Sequence, residues 1–349
     1  MADNNLTAFL YNKKDIRLEN ISIPEPGPGQ VQVRMQHVGI CGTDLHMFEH
    51  FAFGENNITE PLPLGHESAG IISKLGDGVI SLQVGDKVAL ESIYGCMSCS
   101  VCKKGNYNLC DDVKVCGTPM TWGSMSKYFV HKASDCYKLP NHVSTEEGAL
   151  MEPLTVAIHS CRRAGIGLGH DVLVTGDGPI GVMTVMAAKA SGATRVGITG
   201  KHGYRLNIAE KVGADFTLNV TSKDPKDVVQ MVIDAFDGKA DMTIDSTGVE
   251  SCIQTAINTT RNGGNVTISG LRENVVSLPI VSAGFREIDI RGVAVNAHCY
   301  PIARAMVAAG QVNIKPLLTH EFPLEQVDDA FKMANSKECM KVMIKCNES

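Results

Sequence analysis

The chain has 349 residues, with 32 Lys+Arg against 38 Asp+Glu for a net charge of −6, and it is 44% hydrophobic and 20% charged. A mildly acidic chain of ordinary composition gives nucleic acid or an anionic membrane surface no electrostatic footing, and its length exceeds what one core usually organises. No apolar run approaches membrane-spanning length, and the opening MADNNLTAFLYNKKD lacks the basic-then-apolar layout of a secretory leader, so a cytoplasmic location is expected.

From Leu6 to about Tyr137 the chain reads as short strands separated by turn residues: GQVQVRMQHVGI alternates polar and apolar positions, and GDKVAL and SKYFVH look like further strands. Residues 39–46, GICGTDLH, place Cys41, Thr43, Asp44 and His46 close together. Residues 64–79, LGHESAGIISKLGDGV, add His66 and Glu67, and 146–159, EEGALMEPLTVAIH, add Glu152. A catalytic zinc takes about three protein ligands and keeps one open position. Cys41, His66 and one of the two glutamates satisfy that demand, whereas each residue alone is equally compatible with a packing role.

Twelve cysteines are many for a reducing compartment, and four of them fall between Cys96 and Cys110 in the spacing CxxCxxCx7C. Without a secretory leader, metal binding explains them better than disulfides. Cys96, Cys99, Cys102 and Cys110 suit a closed tetrahedral zinc; an iron–sulfur cluster or buried free thiols are the alternatives.

From His170 the texture becomes apolar strands alternating with helical stretches, which implies βαβ units and a doubly wound parallel sheet. DVLVTG, RVGITG, DFTLNV, DMTIDSTG, NVTISG and IDIRGVAV are the strands, with helices expected at 179–192, 204–212, 225–236 and 250–262. The tail reads as helices at 302–309 and 324–335 and a closing strand, CMKVMIKC. Gly176, Gly178 and Gly181 form GxGxxG between the first strand and its helix, with Ile180 packing that helix on the sheet, the arrangement that receives a dinucleotide pyrophosphate. Asp177, inside the phosphate turn, is harmless there if it points to solvent. About twenty residues on, a fold that prefers NAD carries an acid for the ribose hydroxyl. Here stand Gly200 and Lys201, with Arg205 in the next helix. Room for a phosphate and a nearby cation predict a preference for NADP(H), and Gly200→Asp is expected to move it toward NAD(H).

The string Gly65-His66-Glu67-x2-Gly70-x5-Gly76-x2-Val79 resembles the zinc signature of the zinc-containing medium-chain dehydrogenase/reductase superfamily, and the likeness runs from about Leu6 to Cys346. GALMEPLTVAIH, GTPMTWGSMSKYFVH and CYKLP are most similar to its sorbitol (polyol) dehydrogenase branch. The resemblance implies an α/β fold, a Rossmann doubly wound parallel sheet at 154–296 plus a mostly-β GroES-like catalytic domain at 1–153 and 297–349. It implies a catalytic zinc on Cys41, His66 and Glu67, with Glu152 in the second sphere or exchanging as a ligand. Thr43 takes the place of the hydroxyl that relays the alcohol proton, and His46 that of a histidine further along. Thr43 capping a helix that starts near Asp44, His46 bonding backbone and Asp44 serving as a cap remain the plainer readings. Thr247, Gly270, Leu271 and the run from Val293 to Val295 are expected to line the cofactor.

The chain departs from the polyol branch where that branch uses a Tyr and an Arg-Tyr pair to hold substrate hydroxyls: here stand Met47, Val295 and Asn296. A pocket that loses such partners loses selectivity for hydroxyl groups. The expected function is hydride transfer between NADP(H), or less readily NAD(H), and a small alcohol or carbonyl less polar than sorbitol, with two zinc ions per chain. A sorbitol or ketose-reducing enzyme proper and a threonine- or diol-type dehydrogenase are the alternatives, followed by a non-catalytic relative that keeps the fold. Nucleic acid and membrane are not expected as partners; a homo-oligomer is, a tetramer by resemblance.

Overall fold

A strand buried on both faces must find partners for its polar residues, and Gln30–Gly39 shows how. It is central in a seven-stranded sheet, pairing with Glu67–Leu75, Tyr128–Lys132 and Lys341–Lys345. Its polar positions Gln32, Gln36 and His37 are therefore buried, and the Gln32 amide donates to the Pro24 carbonyl at 2.8 Å. Its apolar positions Val31, Val33, Met35 and Val38 enter a core with Leu64, Ile72, Val88, Phe331 and Val342. Each such side chain contributes about 1.5–3 kcal/mol when fully buried.

The structure is a computed structural model that describes residues 4–336 and 338–347. The described residues divide into two compact units: those of Met1–Glu152, Tyr300–Ala309 and Leu317–Ser349, and those of Pro153–Cys299 and Gly310–Pro316. The division falls at Pro153, within the 20-residue helix Thr145–Ala164. Ser144 and Glu147 start that helix by reciprocal bonds, 3.0 Å from the Ser144 N–H to Glu147 Oε2 and 3.3 Å from the Glu147 N–H to Ser144 Oγ. No helix among the described residues is long and apolar enough to cross a membrane.

The second unit holds six parallel strands in the order Phe216–Asn219, Arg195–Gly200, Asp171–Thr175, Ala240–Asp245, Thr260–Ile268 and Asp289–Gly292. This is the doubly wound sheet that the strand–helix alternation predicts, with its order reversing beside Asp171–Thr175. Val172, Leu173 and Val174 are fully buried, as a parallel strand covered on both faces requires. The helices run Pro179–Ala190, Gly203–Lys211, Pro225–Phe236 and Glu250–Thr259. The last stops short of residue 262 because Thr260 already pairs with Ala240 in the sheet. In the tail, Tyr300–Ala308 and Val327–Asn335 are helical and Lys341–Lys345 is a strand.

Candidate zinc and dinucleotide sites

Strand register assembles the first site. Gly39, at the end of its strand, pairs with Glu67 at the start of the neighbouring one, so Cys41 lies beside His66 and Glu67. One donor atom from each of the three lies within 4.8 Å of the others. His66 and Glu67 are 5% and 1% exposed. Glu152 falls outside this set: it sits on the helix Thr145–Ala164, 5% exposed, with Ser92 Oγ 3.4 Å from its Oε1. Of the two glutamates left open by the sequence, Glu67 is the one that converges with Cys41 and His66.

The surroundings of this set fit a bound cation. Glu67 Oε1 accepts from Lys341 Nζ at 2.6 Å, and Lys341, 3% exposed, also donates to the Ile40 carbonyl at 3.0 Å. Glu67 Oε2 is buried and has no hydrogen-bond partner. Gly39 leaves room for it, since a Cβ there would stand 2.2 Å from Oε2. Asp44 takes the Cys41 N–H on Oδ2 at 2.9 Å and turns Oδ1 toward His66 Nδ1, 3.6 Å away; both of the latter atoms lack partners. A histidine that ligates a metal through one ring nitrogen usually donates the other to a carboxylate, and Asp44 faces that nitrogen, 3.6 Å away and beyond hydrogen-bond distance. The sequence reading of Asp44 as only a cap is thereby enlarged: one oxygen caps and the other faces the histidine.

Charge balance follows from burial. Desolvation depresses the His66 imidazole, but Asp44, then Cys41 and Glu152, outweigh it and raise its pKa well above the usual value. Burial also opposes the Lys341 ammonium, and Glu67 with Cys41 more than offsets that effect. The Glu152 carboxyl is pushed up to about 7, chiefly by burial, against the pull of His66. Lys341 was not legible in the sequence, because nothing in CMKVMIKC marks its ammonium as reaching a residue 274 positions away.

Cys41, not Thr43, caps the helix Gly42–His50, so Thr43 lies within the helix and its capping alternative falls away. His46 is exposed, its ring centroid 4.8 Å from that of His50. Met47, expected in the substrate pocket, is fully buried within the apolar core cluster that also holds Ile40, Phe48 and Val342.

The four-cysteine loop closes on itself. The Sγ atoms of Cys96, Cys99, Cys102 and Cys110 lie within 4.8 Å of one another, with Cys99 and Cys110 3.9 Å apart. Two thiolates at ~2.3 Å from a tetrahedral zinc stand about 3.8 Å apart. Backbone N–H groups of Cys96, Cys99 and Cys102 point at Sγ atoms of the set at 3.4 Å, and a Cβ on Gly95 would stand 2.7 Å from Cys102 Sγ.

In the second unit, Gly176 follows its strand with φ +107, and a Cβ on Gly181 would stand 1.9 Å from the Gly176 carbonyl oxygen, so the turn requires glycine at both. Gly178 caps the helix Pro179–Ala190, and a Cβ there would meet nothing within 4 Å, which leaves the helix N-terminus open to an anion. Ile180 lies in that helix's first turn. Thr247 Oγ1 donates to Asp245 Oδ1 at 2.7 Å, Gly270 approaches the Gly248 N–H so closely that a Cβ would stand 2.1 Å from it, and Leu271 is 91% exposed. The Val293 N–H still bonds Ile268, Val295 adopts φ +48, and the amide of fully buried Asn296 has no partner.

A cavity of about 170 Å³ opens among Thr175, Thr199, Lys201, Lys223 and Cys252. Arg205 Nε donates to the Tyr204 hydroxyl at 2.9 Å. Asp177 does not point to solvent: it is 7% exposed and its Oδ2 accepts the N–H groups of Lys201 and His202 at 2.8 and 2.7 Å. The His202 ring nitrogen lies 3.1 Å from the same oxygen. Gly200 leaves no room for a second side chain, because its Cβ would stand 2.4 Å from Asp177 Cβ. A carboxylate therefore does occupy this turn, supplied by the glycine loop instead of the end of the second strand.

Residues 27–141 match the alcohol dehydrogenase GroES-like domain and 179–309 the zinc-binding dehydrogenase family. The chain is 43% identical over 343 residues to a sorbitol dehydrogenase of Gallus gallus, covering 98% of this chain and 97% of that one. It is 43% identical over 346 residues to a sorbitol dehydrogenase of Homo sapiens, covering 99% and 97%. The crystal structure of L-idonate 5-dehydrogenase from Escherichia coli superposes with a TM-score of 0.91 at 28% identity, covering 99% of both chains. With matches over both halves and relatives of this identity along nearly its full length, the chain belongs to the zinc-containing medium-chain dehydrogenase/reductase superfamily, in the sorbitol dehydrogenase branch, and is a zinc-dependent alcohol/polyol dehydrogenase that uses a nicotinamide dinucleotide.

Proposed function

We propose that the chain interconverts an alcohol less polar than sorbitol and its ketone or aldehyde, with NADP(H) preferred over NAD(H), one catalytic zinc on Cys41, His66 and Glu67 and one structural zinc on Cys96, Cys99, Cys102 and Cys110. The single observation that carries the reading is the converging donor set Cys41–His66–Glu67, with the buried Glu67 Oε2 left without a partner. When bound there, zinc lowers the pKa of the alcohol oxygen it touches. Lys341 holds Glu67 by one oxygen and leaves the other for the ion; Asp44 orients the His66 ring. Thr43 accepts the alcohol proton and passes it toward His46, which is exposed and can release it to solvent. Glu152, buried on the helix Thr145–Ala164, stands by as a second proton acceptor.

Gly176, Gly178 and the N-terminus of Pro179–Ala190 hold the cofactor pyrophosphate, and the cavity bordered by Lys201 and Lys223 takes the adenosine end. Asp177's charge is met by three nitrogen partners, so the two lysines face a 2′-phosphate with their cations available. Val295 and Asn296 line the substrate, Asn296 offering one amide to one hydroxyl or carbonyl. Ile280, Val281, Phe285 and the edge strand Asp289–Gly292 expose apolar surface that a homo-oligomer, a tetramer by family likeness, would cover.

Steady-state kinetics on a panel of alcohols and carbonyls with NADP(H) and NAD(H), alongside zinc content, tests the reading. Two zincs per chain, a preference for NADP(H) and better kcat/KM on apolar than on polyhydroxy substrates are expected. A tenfold preference for NAD⁺, about 1.4 kcal/mol, sinks the cofactor reading.

A further inference from the structure

His37 sits on the central strand Gln30–Gly39, 4% exposed, away from the donor set described above. Its Nδ1 lies 2.9 Å from Thr145 Oγ1, and its Nε2 faces two carboxylates: Glu146 Oε1 at 3.7 Å and Glu321 Oε2 at 3.6 Å. The three donor atoms lie within 4.8 Å of one another. They come from three separate elements: the strand, the first turn of the helix Thr145–Ala164 and the strand Leu318–Pro323.

The separations identify what the cluster suits. Hydrogen bonds between nitrogen and oxygen span about 2.7–3.2 Å, so neither carboxylate makes one with Nε2. Two ligands held ~2.0–2.1 Å from one tetrahedral zinc stand about 3.4 Å apart, close to the spacing seen. With the two carboxylate oxygens no more than 4.8 Å apart, a point equidistant from the three atoms lies at most about 2.4 Å from each, within reach of zinc–nitrogen and zinc–carboxylate bonds after a slight side-chain adjustment. Thr145 Oγ1 is placed to accept the Nδ1–H, which leaves the Nε2 electron pair directed inward, as in histidine–metal sites generally.

The protonation states suit a cation as well. Burial lowers the His37 pKa, against the pull of Glu146 and Glu321, so the ring stays neutral and able to ligate near neutral pH. Burial opposes the Glu146 carboxylate, but its backbone N–H and the Ser144 hydroxyl hold its pKa below the usual range. Lys345, paired with His37 across adjacent strands, acts on both groups as the opposing charge and weakens the site relative to one without it.

We propose that His37, Glu146 and Glu321 form a further, exchangeable zinc site, completed by water, that clips the helix Thr145–Ala164 to the sheet that holds both His37 and Glu321. Glu146 and Glu321 are 36% and 40% exposed, which gives the ion a path from solvent. The site is separate from the catalytic set, so it stands whether or not the substrate and cofactor readings hold. Borderline nitrogen–oxygen donors favour Zn²⁺ over Mg²⁺ or Ca²⁺.

The test titrates ZnCl₂ against a chromophoric chelator, using the full-length chain already carrying its tightly bound zinc. The wild type is compared with Glu146→Gln/Glu321→Gln, whose altered side chains are partly exposed and whose thermal midpoint without added zinc reports that it still folds. The expected result is one additional equivalent in the wild type, bound at least tenfold more weakly by the double variant. Added zinc should raise the thermal midpoint of the wild type alone, since a ligand stabilises only the state that binds it. Equal uptake by both proteins, or no additional equivalent in the wild type, overturns the proposal: the first would mean non-specific surface binding, the second a simple histidine–carboxylate pairing. MgCl₂ in place of ZnCl₂ should give no equivalent, and uptake of magnesium equal to that of zinc overturns the assignment of the metal.

Discussion

Gly200→Asp is the substitution the sequence recommends for drawing this cofactor site toward NAD(H), and the structure predicts that it fails on its own. A Cβ at position 200 would stand 2.4 Å from Asp177 Cβ and 2.5 Å from Asp177 Oδ2, far inside contact distance. The Asp177 carboxylate cannot withdraw freely, because it holds the N–H groups of Lys201 and His202 at 2.8 and 2.7 Å. Overpacking of this kind costs about 1–3 kcal/mol, and a second carboxylate against the first adds repulsion. Asp177→Ala alone strips both N–H groups of their acceptor, at about 1 kcal/mol each. Together the two changes relieve each other: the alanine makes room and the new carboxylate replaces the lost acceptor. Denaturant unfolding of both single variants and the double variant, with kcat/KM for NADPH and NADH, measures this. The double variant should be more stable than the sum of the singles by at least ~1 kcal/mol, and it alone should gain on NADH. Additivity within about 0.5 kcal/mol, or a Gly200→Asp protein as stable as wild type, refutes the steric argument.

Lys341→Met keeps the stem and removes the charge that pairs Glu67 at 2.6 Å, leaving a carboxylate buried to 1% exposure; a loss of about 3–5 kcal/mol in urea unfolding of the metal-depleted protein is expected, with weaker zinc retention. Asn296→Leu replaces a fully buried amide whose nitrogen and oxygen both lack partners, so stability should rise by about 1 kcal/mol while kcat/KM falls; a stability loss with unchanged kinetics contradicts the substrate role. Cys102→Ser, in the four-thiol loop, should lower the zinc content by one ion per chain, and an unchanged count argues against a zinc there. Asp86 pairs with Lys138 at 2.6 Å; burial, the largest single effect, raises its pKa, but the hydrogen bonds from Lys138 and the Gln83 N–H, with the Lys138 charge, together outweigh it and hold the pKa below the usual carboxylate value. Its contribution is therefore present above the unfolded-state carboxylate pKa of about 4 and is lost as pH falls through the lower folded value. Asp86→Asn should flatten the acid limb of the stability–pH curve and leave a neutral-pH offset of at most about 1 kcal/mol.

The sequence determined what repeats along the chain or lies close within it. Strand–helix alternation after His170 and the glycine pattern of GDGPIG follow local rules of burial period and backbone freedom, and the doubly wound parallel sheet obeys them. The four cysteines within fifteen residues are legible for the same reason, since a short loop can hardly avoid bringing them together. Tertiary structure decided whatever joins distant segments. It brought Glu67, at the Gly39–Glu67 register, into one group with Cys41 and His66, and it brought Lys341 to Glu67 across 274 residues. It enclosed Met47 completely among apolar core residues, on a nine-residue helix. It also turned Asp177 inward. A turn that lacks an acid in its own sequence can take one from the neighbouring loop, because unpaired N–H groups at a helix start attract whichever carboxylate is within reach.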